Sequence, residues 1–140
     1  MSRVSVSSLI VAVVIGLTLS TACQNNLMPV EAAGTYMLTS TIGTIGRSET
    51  PVSGSLVLTP NGSAERRVSY QLDSTGALTE LIAIGTYRVS DSIVHLSLRE
   101  DSGQSSFTWQ VAATLETGGD LRLSYPRPAD GTIVELYQRR

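Results

Sequence analysis

Residues 105–115 read Ser-Ser-Phe-Thr-Trp-Gln-Val-Ala-Ala-Thr-Leu. Phe107, Trp109, Val111, Ala113 and Leu115 take one set of alternate positions. Ser106, Thr108, Gln110, Ala112 and Thr114 take the other. A period of two sends successive side chains to opposite faces of an extended chain, so this stretch predicts a strand with one apolar and one polar face. The same alternation recurs on both sides of it. Upstream, 93–99 sets Val94, Leu96 and Leu98 against Ile93, His95, Ser97 and Arg99. The run 79–89 is apolar on both faces at Leu81-Ile82-Ala83-Ile84, and Gly85 predicts a bulge or sharp bend. In 63–72, Val68, Tyr70 and Leu72 are expected inward, with Glu65, Arg67, Ser69 and Gln71 outward. Strands are also predicted over 52–59, with Leu56 and Leu58 inward, and over 34–42, with Tyr36 and Leu38 on one face. Downstream, 121–125 places Leu121, Leu123 and Tyr125 over Arg122 and Ser124, and 132–139 is expected to turn Val134 and Leu136 inward.

Turn chemistry separates these runs. Pro60-Asn61-Gly62, Asp73-Ser74-Thr75-Gly76, Ser90-Asp91-Ser92 and Thr117-Gly118-Gly119-Asp120 are short and rich in residues that tolerate positive φ. Eight short strands joined in series, with no convincing helix among them, predict an all-β meander. Eight is a number at which an antiparallel sheet closes into a small up-and-down barrel without free edges. A two-sheet β-sandwich is the alternative.

Before the strands stands Leu9-Ile-Val-Ala-Val-Val-Ile-Gly-Leu-Thr-Leu19, preceded by the single charge Arg3 and followed by Ser20-Thr21-Ala22-Cys23. About eleven apolar residues suit the h-region of an export signal and fall short of the roughly 20 that span a bilayer. Leu19 to Cys23 resembles the lipobox of bacterial lipoproteins. The resemblance implies a signal-peptide helix over 1–22, removed at Cys23, and a lipid anchor (diacylglycerol and an acyl chain such as palmitate) on that cysteine. Two or more acyl chains hold a protein stably at a membrane. Cys23 is the only cysteine, so lipidation leaves no disulfide. Gln24 in the next position, rather than Asp, implies a periplasm-facing outer-membrane lipoprotein, the inner membrane being the alternative. The expected organisation is signal peptide 1–22, tether 23–33 and barrel domain 34–140.

Without residues 1–22, nine arginines stand against twelve carboxylates, a net charge of −3, and the chain has no lysine. That balance offers no electrostatic footprint for nucleic acid. The barrel region resembles the lipocalin-like, or calycin-like, domains found in bacterial lipoproteins. Gly34-Thr35-Tyr36 falls where the lipocalin Gly-x-Trp motif opens the first strand, with Tyr in place of Trp. The family packs an arginine from the end of the barrel on that ring, which implies the same part for Arg139 or Arg140.

Chemistry-bearing residues are sparse. His95 is the sole histidine, lies mid-strand, and has no Gly-x-Ser-x-Gly elbow to serve. One histidine and a lipidated cysteine do not make a zinc site. Glu100, Asp101 and Asp120 read as solvated turn carboxylates. The Arg66-Arg67 and Arg139-Arg140 pairs read as surface charge. The expectation is therefore a non-enzymatic binding module with no cofactor and no metal. Its candidate ligand-binding residues are the barrel-lining aromatics Tyr36, Tyr70, Phe107, Trp109 and Tyr125. The expected partners are the membrane, through the anchor, and a small apolar ligand or an envelope protein. The alternative is a structural lipoprotein with a filled barrel, such as an assembly accessory or a barrel-type protease inhibitor.

Overall fold

The computed structural model describes residues 29–43, 49–72, 74–101, 103, 105–127 and 131–140. Residues 1–22 and Cys23 lie outside these, as do the expectations placed on them. Eight antiparallel strands follow one another: β1 (Gly34–Ile42), β2 (Glu49–Leu58), β3 (Ser63–Leu72), β4 (Leu78–Ser90), β5 (Ile93–Asp101), β6 (Ser106–Leu115), β7 (Leu121–Arg127) and β8 (Gly131–Arg139). Each pairs with the next, and β8 returns to β1 through Tyr36↔Arg139 and Leu38↔Tyr137. The sheet is a closed up-and-down barrel, which excludes the sandwich.

The turns act as their composition predicts. Thr59 and Ser63 close the β2–β3 hairpin, Thr59 N donating to Ser63 O at 2.9 Å, and Gly62 takes the positive φ of 87°. Gly85 is different. Register runs unbroken through it on both sides, so there is no bulge. A Cβ at this position would instead stand 1.8 Å from the Ser97 carbonyl oxygen. Glycine is needed because the β5 backbone approaches too closely for any side chain.

Two expectations about facing are corrected. In β8 the buried side chains are Ile133, Glu135 and Tyr137, while Val134 and Leu136 are half-buried on the outer side. Apolarity alone pointed the wrong way, because the inner face of this strand carries a charge that is neutralised inside the barrel. Arg66 is likewise no surface arginine: it is 2 % exposed and shares the inner face of β3 with Val68 and Tyr70. The strand series also opens with one helical turn, α1 (Pro29–Ala32), whose Ala32 is fully buried against the barrel.

Candidate functional site

The two ends of the barrel differ. At the end where β1 begins and β8 finishes, the lining is apolar: Leu56, Leu58, Val94, Leu96, Leu121 and their neighbours pack without exposure. α1 covers this end. The Tyr36 hydroxyl donates to Ala32 O at 2.6 Å. Arg139 donates to Ala33 O at 2.6 Å and to Glu31 O at 3.3 Å, with its guanidinium 5.9 Å from the Tyr36 ring centroid. Of the two C-terminal arginines, Arg139 therefore takes the ring-stacking part. Burial raises the Tyr36 phenol above its ordinary pKa; Arg139 opposes the rise and Asp120 adds to it.

Towards the opposite end the interior turns polar. Glu135, from β8, is fully buried and faces Arg66 across the barrel. Its Oε1 accepts from Arg66 Nη2 at 2.6 Å and from the Tyr125 hydroxyl at 2.8 Å. Its Oε2 accepts from Arg66 Nε at 3.2 Å and from the Tyr137 hydroxyl at 2.9 Å. Four donors thus fill the acceptor sites of one carboxylate. Arg66 Nη2 also donates to the Tyr70 hydroxyl at 3.2 Å. Desolvation disfavours the Arg66 charge, but Tyr137, Glu135 and Tyr70 outweigh it and hold the guanidinium well above its ordinary pKa. Burial, with the Glu135 charge beside them, pushes the Tyr125 and Tyr137 phenols strongly upward, against the opposing pull of Arg66. The cluster is a neutral ion pair with a saturated carboxylate, and its tyrosines stay protonated.

Trp109 lies over this cluster, its ring centroid 5.4 Å from the Arg66 guanidinium and 5.4 Å from the Tyr125 ring at an interplanar angle of 56°. Trp109 and Tyr125 are half-buried. Phe107, two residues nearer the start of β6, is 63 % exposed. Leu78, at the start of β4, is exposed at the same end of the barrel.

Of the five predicted lining aromatics, the fold brings Tyr70, Trp109 and Tyr125 together, with Phe107 beyond them at the rim. Tyr36 belongs to the covered end. Sequence reasoning missed Arg66, Glu135 and Tyr137. Their signal was parity alone: Arg66 is in phase with Val68 and Tyr70, and Glu135 with Ile133 and Tyr137.

The other candidates fall outside the barrel interior. His95 sits on the outer face with its Nε2 3.0 Å from Ser90 Oγ. It borders an external cavity of about 310 Å³ that Arg88, Ser97 and Gln110 also line. Asp101 pairs with Arg99, and Asp120 Oδ1 accepts from the Arg139 backbone N–H at 3.2 Å. Among the described residues, no group of three His, Cys, Asp or Glu is placed to hold a metal ion. Compared with family models, curated proteins and solved structures, the chain matches none.

Proposed function

We propose that this chain is a lipid-anchored, lipocalin-like binding module of the bacterial envelope, held at a periplasm-facing membrane surface by Cys23. It takes a small apolar ligand at the end of the barrel away from α1, in a shallow seat made by Phe107, Trp109 and Tyr125. One observation carries the reading: an exposed Phe107 and a half-buried Trp109 stand at one end, while the other end is covered by α1. The buried Arg66–Glu135 cluster is the floor of the seat. A ligand entering deeper would displace a buried ion pair, so the ligand lies across the mouth rather than within the barrel. Trp109 is the only tryptophan and reports contact directly.

The test is quenching of Trp109 emission in the purified full chain by a brominated fatty acid. Saturable quenching that Phe107→Ser weakens is expected. Emission that does not respond removes the ligand reading. Intact mass of the membrane-extracted protein beside Cys23→Ala tests the anchor separately; a species beginning at Cys23 with acyl mass added is expected.

A second reading has its own support. The buried Arg66–Glu135 cluster occupies the barrel interior, as side chains would in an interaction lipoprotein, and the exposed rim then meets an envelope protein. A photo-crosslinker at position 107 that captures one defined protein, with no response to apolar ligands, would favour it.

A further inference from the structure

The outer face of β4 carries isoleucines where a water-facing strand ordinarily carries polar side chains. Ile82 and Ile84 are exposed, Ile84 by 58 %. The charges around them are ordered. On the β3 side, register places Glu65 beside Ile84 and Arg67 beside Ile82. On the β5 side it places Arg99 beside Ile84. Asp101, two residues further along β5 and so on the same face, comes level with Ile82. Along each strand the charges are bonded: Arg67 Nε to Glu65 Oε1, and Arg99 Nε to Asp101 Oδ1 at 3.2 Å. Four exposed charges thus stand at the corners of a rectangle about 10 Å across the strands and about 7 Å along them. Like signs lie on the diagonals and the two isoleucines lie in the middle. Glu80, one outward position beyond Ile82, adds a further negative charge near Arg67.

A rectangle of this kind is its own electrostatic complement. When a second copy is laid face to face about a two-fold axis running along the strands, Glu65 meets the second copy's Arg99 and Arg67 meets its Asp101. About an axis across the strands, Glu65 meets the second copy's Arg67 and Arg99 meets its Asp101. Either axis brings isoleucine onto isoleucine, and all four corner charges keep opposite neighbours when the intrastrand pairs exchange partners; only the axis across the strands also keeps Glu80 away from the second copy's Glu80. A different protein would have to carry this pattern independently; a second copy has it already. The flanking outward residues Ser55, Ser69, Thr86, Ser97 and Thr108 are small, so two such faces can approach to the usual spacing of about 10 Å. The closed barrel has no edge strand to extend, which leaves the face as the surface for pairing.

We infer that the outer face of β3, β4 and β5 is an isologous homodimer interface centred on Ile82 and Ile84. The test is the mass of the purified full chain in mild detergent, by light scattering and sedimentation. Wild type is expected at twice the chain mass. Ile84→Glu and Glu65→Arg are each expected to weaken the dimer at least about tenfold, as loss of a central contact does. Recovery by Glu65→Arg with Arg99→Glu identifies the axis along the strands. Recovery by Glu65→Arg with Arg67→Glu identifies the axis across them. Unchanged Trp109 emission and circular dichroism establish that each variant is folded, and Ile82→Ser with Ile84→Ser repeats the test without new charge. A wild-type chain of single mass overturns the inference. So does a dimer that Ile84→Glu leaves intact, or one that neither charge exchange restores.

Discussion

Removing Glu135 tests whether the cluster is what holds the middle of the barrel together. In Glu135→Ala the Arg66 guanidinium, 2 % exposed, loses the partner that two of its N–H groups bond. Stripping the partner from a buried charge costs about 3–5 kcal/mol. The Tyr125 and Tyr137 hydroxyls lose their acceptor at the same moment. Each buried donor left unmade adds about 1 kcal/mol or more. The sum is about 5–7 kcal/mol, against a total stability of about 5–15 kcal/mol for a domain of this size. Urea unfolding followed by Trp109 emission measures it. With a slope of about 2 kcal/mol per molar, the midpoint falls by about 2.5 M or more. Arg66→Leu combined with Glu135→Leu removes both charges and leaves only the tyrosines short of partners. It is expected to recover a large part of the loss, with a coupling energy of about 2–4 kcal/mol in the double-mutant cycle. A Glu135→Ala variant within about 1 kcal/mol of wild type would refute the reasoning, because water would then be solvating a guanidinium that the fold excludes from it.

Alkaline pH acts on the same cluster. Tyr125 and Tyr137 bind their protons more tightly in the folded than in the unfolded chain, so their contribution is fully present below about pH 10 and lost as pH rises above it, by about 1.4 kcal/mol per pH unit for each phenol that only the unfolded chain ionises; absorbance at 295 nm should show these phenols ionising together with unfolding rather than before it. Gly85→Ala forces a Cβ to 1.8 Å from a backbone carbonyl, and a loss of about 2–3 kcal/mol with slowed folding is expected by stopped-flow. Tyr36→Phe removes only the hydrogen bond to Ala32 O, and should cost about 1 kcal/mol while increasing amide exchange in α1. Phe107→Ser should leave the unfolding free energy unchanged within about 0.5 kcal/mol, since the ring is already solvated.

Strand number, order and most boundaries were legible because alternation and turn residues act locally. The residues 34–42 and 63–72 read as strands from alternation and the turns around them, and are β1 and β3 to the residue. Closure was a matter of count, and β1 pairing with β8 settles it. The site was harder to read because it is made of exceptions to the rule that made the strands readable. Inward-facing Arg66 and Glu135 look like outward residues when only polarity is scored. Each is acceptable inside only because the other stands opposite, 69 residues away in the chain. In β8 this inverted the reading, since Val134 and Leu136 out-scored Glu135 and Tyr137 for the inner face. Gly85 shows a similar limit: glycine in a strand signals close approach or a bulge, and only the Ser97 carbonyl decides between them.

The position of the ion pair also constrains what the barrel can do. An apolar plug of leucines in its place would stabilise as well or better, since buried ion pairs seldom outperform hydrophobic packing. What the pair supplies is direction. Arg66 holds Tyr70 and underlies Trp109, while Glu135 fixes the hydroxyls of Tyr125 and Tyr137, so three aromatic rings towards the mouth, and Tyr137 deeper in the barrel, are tied to one charge pair. Rings held only by apolar contact could rotate to fill the mouth; rings tied by their polar ends cannot do so without leaving a buried charge unpaired. The cluster therefore keeps the half-buried faces of Trp109 and Tyr125 pointed at the rim. On this reasoning Tyr125→Phe, which frees one ring and leaves the ion pair whole, should cost little stability, about 1 kcal/mol. It should broaden Trp109 emission and weaken apolar quenching disproportionately. Equal binding in Tyr125→Phe and wild type would mean that the cluster stabilises the barrel without orienting its mouth.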